Sequence, residues 1–118
     1  MSYRIIGCAF DVYNELGAGH LERYYQNALK VAFKKEGLRF DEQVYYPLLY
    51  KNELVGKGYL DFCIEDKIIV EIKKGNKFSK KHIDQVLEYL KTGKLELGIL
   101  INFGSSSVAF RRIVNIEK

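Results

Sequence analysis

The residues of this chain best suited to chemistry are Asp61, Glu71 and Lys73, which interrupt two apolar runs between residues 59 and 74. Two carboxylates held close together repel each other, and a divalent cation between them removes that cost. Mg²⁺ prefers hard oxygen ligands and often takes one or two carboxylates together with a substrate phosphate. A neighbouring lysine could then orient a water or stabilise negative charge on a phosphate under attack. The alternative is that Lys73 only bridges two acids on a solvated strand face.

The two apolar runs predict a β-hairpin, and its register decides whether these charges meet. Side chains alternate between the two faces of a strand. The apolar residues expected to share one face are Leu60, Phe62, Ile64, Ile68, Val70 and Ile72. A three-residue turn at residues 65–67 places Phe62 opposite Val70 and therefore Asp61 opposite Glu71, with the lysine two residues further along. Three-residue turns prefer a glycine in the left-handed conformation, and this turn contains none.

Hydrophobic periodicity and turn residues predict the elements that must position this hairpin. Helices are expected over residues 3–16, 20–35 and 82–93, and strands over residues 40–50, the two hairpin runs, 95–103 and 107–116. Gly17 to Gly19 separate the first two helices, residues 51–58 are expected to form a turn, and Pro47 suggests a sheet edge or a bulge. The run at residues 95–103 is apolar enough for a strand buried on both faces. The order ααβββαβ(β) predicts one α/β or α+β domain over residues 1–118, with one sheet flanked by helices.

Length and composition fit a globular protein. A chain of 118 residues suits one domain, and its 47% hydrophobic content argues against disorder. No apolar run is long enough to span a bilayer, and residues 1–15 lack the pattern of a signal peptide. We therefore expect a cytoplasmic protein without a membrane partner. Cys8 and Cys63 have no metal-ligand spacing, so we expect buried, reduced thiols.

Positive charge is concentrated directly after the hairpin, although the net charge of +4 is modest. The lysines of this cluster are Lys73, Lys74, Lys77, Lys80 and Lys81. Such a cluster could follow a phosphate backbone and give sequence-independent affinity for nucleic acid. The alternative is a solvated loop kept soluble by its lysines, and the cluster alone does not decide between them.

Several short motifs occur together in a specific order. The first is G-x-x-E-x-x-Y, and the second is the hairpin acid followed by E-I-K. The third is Q-x-x-x-Y, and the chain then continues through GILINFG to FRRIVN. The motif residues are Gly19, Glu22, Tyr25, Asp61, Glu71, Ile72, Lys73, Gln85 and Tyr89. In this order and spacing, the chain resembles the GxxExxY proteins, a prokaryotic family placed in the PD-(D/E)xK nuclease superfamily. The resemblance covers nearly the whole chain; each motif alone is weak, and the set is specific.

This resemblance implies a restriction-endonuclease-like αβββαβ core, a mixed central sheet flanked by helices, with an extra helix at the N-terminus. It implies that Asp61 and Glu71 bind a metal, with the backbone carbonyl of Ile72 as a third ligand. Lys73 matches the catalytic lysine, and Glu22 matches a helix glutamate that completes such sites directly or through water. Mg²⁺ is the expected cofactor, and Mn²⁺ can substitute for it.

The predicted substrate-binding residues have two sources. The resemblance implies Gln85 and Tyr89, with Tyr25 of the first motif, and the lysine cluster adds Lys74, Lys77, Lys80 and Lys81. Each helical motif pair is three or four residues apart and so shares a helix face. Alternatives stay open for two of these residues: Tyr25 could be a core tyrosine, and Gln85 could be a capping or solvated side chain. His82 is expected to be solvated or to cap its helix rather than to bind metal.

The function implied is a Mg²⁺-dependent deoxyribonuclease that hydrolyses phosphodiester bonds in DNA. The alternative is a catalytically silent module on the same fold that binds nucleic acid or another protein. Because so small a domain offers little surface for gripping a long duplex, a homodimer or a partner subunit is also expected. A small-molecule enzyme has little support, since the chain has no nucleotide-binding glycine loop.

Overall fold

The computed structural model describes residues 1–116, which form three helices and five strands in one sheet. The elements are α1 (Ser2–Leu16), α2 (Glu22–Lys35), β1 (Phe40–Tyr50), β2 (Glu53–Ile64), β3 (Ile68–Lys74), α3 (Lys80–Gly93), β4 (Leu97–Phe103) and β5 (Val108–Val114). The strands lie in the order β1-β2-β3-β4-β5; β3 and β4 are parallel, and the other neighbours are antiparallel. The predicted α+β class, mixed sheet and extra N-terminal helix are confirmed.

Helices cover both faces of the sheet. On one face α1 and α2 pack over Phe62, Val70 and Ile101, among others. On the other face α3 packs through Val86 and Leu90 against a second apolar cluster. All but the first residue of β4 are buried, which fits its position between these two layers and confirms the prediction from its apolar run.

The turn predicted at residues 51–58 is wrong. Only Lys51 and Asn52 turn the chain, both at positive φ, and β2 begins directly after them. Such two-residue turns match the twist of the strands that they join. Gly58 lies in β2 opposite Tyr46, and a Cβ there would lie 3.3 Å from Nε2 of Gln85 and 3.5 Å from the Tyr46 ring.

The β1–β2 hairpin extends well beyond the rest of the sheet. Its residues 44–60, which we call the arm, continue past the point where β2 stops pairing with β3. β1 is an outer strand of the sheet, with Pro47 in its middle and an irregularity between Leu48 and Leu49. This agrees with the edge or bulge predicted from the proline, which cannot donate a ladder hydrogen bond.

Candidate active site

The hairpin of β2 and β3 has the predicted three-residue turn and the predicted register, with Phe62 opposite Val70. Without a glycine, the turn places Glu65 and Asp66 at φ 55° and 57°. The backbone N–H of Arg39 donates to the Glu65 carboxylate at 2.6 Å, and the Glu65 N–H donates to the Arg39 carbonyl at 2.9 Å. These two bonds fix the turn to the start of β1.

Away from the turn, β2 and β3 separate beyond the pair Phe62–Val70, and the side chains of Asp61 and Glu71 bridge the gap. The last paired residues on this side are Phe62 and Val70. The N–H of Asp61 donates to Oε1 of Glu71 at 2.9 Å, and the N–H of Ile72 donates to Oδ2 of Asp61 at 2.8 Å. Each carboxylate therefore takes the place of a backbone carbonyl of the opposite strand. The acids lie side by side, as the register predicted. Their hydrogen bonds connect β2 and β3 at the point where the backbone ladder ends.

The prediction that Leu60 shares a face with Phe62 and Ile64 is wrong. Phe62 and Ile64 pack under α1 and α2, whereas Leu60 packs in the α3 cluster. The pairs Glu42–Phe62 and Val44–Leu60 place Gln43 of β1 opposite Asp61 of β2. Gln43 has a φ of 50°. Both strands of the arm therefore turn over at this point, which reverses the alternation of their side chains.

Glu71 is the most unusual group of the site. It is only 4% exposed, and burial, followed by the charge of Asp61, raises its pKa from 4.5 to about 8. A hydrogen bond between the two carboxyl groups adds to this rise, and Lys73, with Nζ 3.7 Å from Oε2 of Glu71, opposes it. At neutral pH Glu71 therefore keeps its proton. The positive charge of Lys73 alone is not enough to keep both carboxyl groups ionised.

This donor set fits a hard divalent cation. Each carboxylate accepts one backbone amide through one oxygen, and a cation would replace the proton held between the two groups and bind the remaining oxygens. Across residues 1–116, no three or more His, Cys, Asp and Glu side chains gather closely enough to hold a metal by themselves. Asp61 and Glu71 would therefore share a cation with backbone, water or substrate oxygens, which is how Mg²⁺ is commonly bound. That the backbone carbonyl of Ile72 is a further metal ligand stays a prediction.

Glu22 lies next to this pair without joining it. It is the first residue of α2, and its Oε2 accepts the N–H of Lys74 at 3.1 Å, at the end of β3. Its charge also acts on His82 at the start of α3. The helix glutamate and the hairpin are thus brought to the same end of the sheet, one residue beyond Lys73.

A cleft of about 450 Å³ lies where the arm, β3 and α3 meet. β3 contributes Glu71 and Lys73; α3 contributes Lys81, His82 and Gln85; the arm contributes Tyr46, Leu48, Lys57, Gly58 and Tyr59. Gln85 fits beside β2 because Gly58 has no side chain: a Cβ there would lie 3.3 Å from the Gln85 Nε2. The structure thus places Gln85 in the same cleft as Glu71 and Lys73.

Sequence reasoning missed part of this cleft. His82 was expected to be solvated or to cap the helix, but it lines the cleft, and burial, then the charges of Lys73 and Lys81, lower its pKa. The usable signal was its position three residues before Gln85, on the same helix face. Lys57 was missed because its segment was interpreted as a turn.

The two predicted substrate-binding tyrosines lie away from the cleft walls. Tyr25 is 1% exposed, stacks on Phe103 with ring centroids 4.3 Å apart, and donates from its hydroxyl to the Gly17 carbonyl at 2.6 Å. This is the core role that the sequence left open. Tyr89 lies one turn beyond Gln85, and its ring centroid is 6.2 Å from that of Tyr46. It supports the arm from α3.

The predicted lysine cluster divides in the structure. Lys73 and Lys81 line the cleft. Lys80 is paired with Asp84 at 2.7 Å on the outer side of α3, while Lys74 and Lys77 are exposed. Ser79 caps α3 by accepting the N–H of Lys81 at 3.1 Å. The helix therefore begins at the cleft, and the positive end of its dipole adds to the positive potential that Lys73 and Lys81 create there.

Other buried polar groups were also located. Cys8 and Cys63 are buried free thiols, as predicted, and burial raises the pKa of each to about 11. Asn102, the β4 neighbour of Lys73, is 3% exposed, and its Nδ2 has no hydrogen-bond partner. Within the described residues, no helix has the length and apolar character needed to cross a membrane.

Comparison with known proteins identifies the family of this chain. The model of the PD-(D/E)XK nuclease superfamily matches residues 1–113. Among curated proteins, no sequence matches this chain. Among solved structures, the crystal structure of SSO0001 is similar, with a TM-score of 0.60 and 22% sequence identity over 79% of this chain. This chain spans 49% of that protein, and at this identity the likeness concerns the fold.

Proposed function

We propose that this chain, which belongs to the PD-(D/E)XK nuclease superfamily, is a metal-dependent nuclease that hydrolyses phosphodiester bonds in DNA. The superfamily implies a nucleic acid substrate; the choice of DNA and of Mg²⁺ or Mn²⁺ is part of the proposal. The observation that carries it is the pair of acids that bridges the separated ends of β2 and β3. Their geometry gives them a role beyond packing, because it keeps two acidic side chains next to each other with one of them, Glu71, buried.

Each site residue has a defined task in this proposal. Asp61 and Glu71 bind the cation, with the Ile72 carbonyl and Glu22 as further candidates. When bound, the cation offsets negative charge that develops on the phosphate during hydrolysis. Lys73 stabilises the same charge from the side of β3 and orients the attacking water. Lys81 at the start of α3 holds a neighbouring phosphate.

The remaining assignments rest on sequence motifs. We assign the chain to the GxxExxY proteins because Gly19, Glu22 and Tyr25 occur in the order and spacing of that family. In the structure these residues form the turn before α2 and its first helical turn. They place Glu22 at the end of β3, which is consistent with a family motif that serves the site.

The test is a cleavage assay with purified protein on single-stranded, duplex and branched DNA. With MgCl₂ or MnCl₂ we expect cleavage that EDTA stops. Lys73→Ala should abolish cleavage and leave the circular dichroism spectrum unchanged. Lys35→Ala, at the exposed end of α2, is the matched control and should cleave like the wild type.

Two results would contradict the proposal. One is that all three DNA forms stay intact with both metals. The other is cleavage that persists in Lys73→Ala. Salt-dependent DNA binding that survives Asp61→Ala, without cleavage by the wild type, would instead favour a silent binding module.

A further inference from the structure

The arm exposes a large amount of apolar side-chain surface. Seven large hydrophobic residues on it are between 46% and 61% exposed. They are Tyr45, Leu48, Leu49, Tyr50, Leu54, Val55 and Tyr59. Exposed apolar patches mark places where a protein binds something, and on the arm the rings of Tyr45 and Tyr59 pack together into such a patch.

One end of this surface belongs to the candidate active site. Tyr59 and Leu48 line the cleft that contains Glu71 and Lys73. Tyr59 is 46% exposed, and its ring packs against that of Tyr45, the residue opposite it on β1, with centroids 5.9 Å apart. This contact limits the motion of Tyr59, so that little conformational entropy is lost when a ligand covers its free face.

The charges around this aromatic surface favour a polyanion. The cleft lining contains the three lysines Lys57, Lys73 and Lys81 and a single acid, Glu71. Lys57 and Tyr59 are two residues apart in β2 and so project from the same strand face. A ligand with flat apolar rings and regularly spaced negative charges, which is the chemistry of a nucleic acid strand, matches both features.

We propose that the arm selects single-stranded nucleic acid by stacking an unpaired base on Tyr59, while Lys57 and Lys81 contact the adjoining phosphates. In a duplex the base faces are already covered by neighbouring base pairs, so an exposed tyrosine next to the site has no free face to bind. The substrate class is therefore a single strand or the single-stranded end of a duplex. This inference rests on the proposed function in one respect: it takes the neighbouring site to be that of a nuclease.

The experiment measures binding separately from cleavage. Labelled single-stranded DNA, single-stranded RNA and a blunt duplex of equal length are titrated with protein in EDTA, where no hydrolysis is expected. Wild type should bind the single-stranded DNA, the RNA or both at least about tenfold more tightly than the duplex. Tyr59→Leu, which keeps an apolar strand residue but has no ring, should weaken single-strand binding about 5- to 100-fold and leave duplex binding unchanged. Tyr59→Phe should bind like the wild type.

Controls separate stacking from misfolding and from charge. Tyr3→Ala, at a 76% exposed site on α1, should change nothing. Thermal unfolding of Tyr59→Leu should match that of Tyr59→Phe. Lys57→Ala should lower the dependence of log affinity on log salt by about 0.7, the value for one lost phosphate contact on a single strand.

Three results would overturn the inference. The first is equal affinity for duplex and single strands, and the second is Tyr59→Leu binding single strands as well as Tyr59→Phe. The third is sedimentation showing a stable dimer that Leu54→Lys breaks, since the arm would then be covered by a second copy. Failure of the proposed function gives a different result: tight, Tyr59-dependent binding of single strands with no cleavage in Mg²⁺ or Mn²⁺.

Discussion

The two ends of the β2–β3 hairpin contain the same residue types in opposite surroundings. At the turn end, ordinary ladder pairs run from Phe62 and Val70 to the turn. At the site end the strands separate, and carboxylates accept the backbone amides. The glutamates differ accordingly: a hydrogen bond from the Arg39 backbone is the main cause that lowers the pKa of Glu65, whereas burial is the main cause that raises the pKa of Glu71.

This difference shows that the site end of the hairpin is less stable than the turn end. An acid at the turn is stabilised in its charged form by the amide and the guanidinium of Arg39. At the site, Glu71 is buried next to the part-buried Asp61, and Lys73 offsets only in part the unfavourable effects of burial and of the Asp61 charge on Glu71. Unfavourable groups of this kind persist where they serve a function, so changes at the two ends should have different effects on stability and on activity.

The largest expected effect is a loss of stability with rising pH. The folded protein holds a proton on Glu71 up to about pH 8, whereas the unfolded chain releases it near pH 4.5. Between these values the unfolded state binds fewer protons, so the free energy of unfolding of the metal-free protein falls as pH rises, by on the order of a few kcal/mol. Denaturant unfolding in EDTA across this range measures the fall.

Two variants identify the source of this pH dependence. Glu71→Gln should unfold with little pH dependence between these values, because it has no proton to lose. Glu65→Gln should flatten the pH profile only on its acid side and should lower the free energy of unfolding by a constant amount above about pH 4.5, since the stability from a lowered pKa is present above the ordinary value and is lost as pH falls. MgCl₂ should restore stability to the wild type near pH 8. If wild type and Glu71→Gln lost stability in parallel as pH rises, Glu71 would not be the source of the pH dependence.

The next largest effect is expected from Asp61→Asn, which should separate activity from stability. The asparagine keeps an oxygen that can accept the N–H of Ile72 but removes the charge that repels Glu71. Cleavage should fall at least about a hundredfold through loss of a metal ligand. Above about pH 8, where Glu71 has lost its proton, the free energy of unfolding in EDTA should rise by about 1 kcal/mol.

The matched control for this substitution lies at the turn end. Asp66 has a 76% exposed side chain at φ 57°, a conformation that asparagine tolerates well. Asp66→Asn should therefore leave the cleavage rate and the unfolding free energy unchanged. Equal loss of cleavage in both variants, or destabilisation by Asp61→Asn, would show that the site-end acids act as structural groups.

The sequence was sufficient to predict the hairpin and its register. The alternation of apolar residues on both sides of the turn allows one register that keeps them in the core, and this register places Asp61 beside Glu71. The separation of the strands could not be predicted, because it depends on Gln43, a residue of another strand, adopting a positive φ. The cleft wall on the arm was missed because Gly58 resembles a turn residue, whereas it makes room for Gln85.

A smaller effect concerns α3, which carries Gln85 to the site end of the hairpin. Gly98 of β4 lies under this helix, and a Cβ there would be 2.5 Å from Cγ1 of Val86. Valine is stiff at χ1, so the helix itself must move. Gly98→Ala should lower the free energy of unfolding by about 1–3 kcal/mol and also lower the cleavage rate of the protein that remains folded.

The same substitution in α1 should have the opposite sign. A Cβ at Gly7 would meet no atom within 4 Å, and alanine favours a helix over glycine by up to about 1 kcal/mol, so Gly7→Ala should stabilise the fold and leave cleavage unchanged. Adding Val86→Ala to Gly98→Ala removes the colliding methyl and should recover the cleavage rate more fully than the stability, because a cavity remains. If the double variant regains stability but no activity, the contact between α3 and β4 does not position the cleft, and Gln85 acts independently of it.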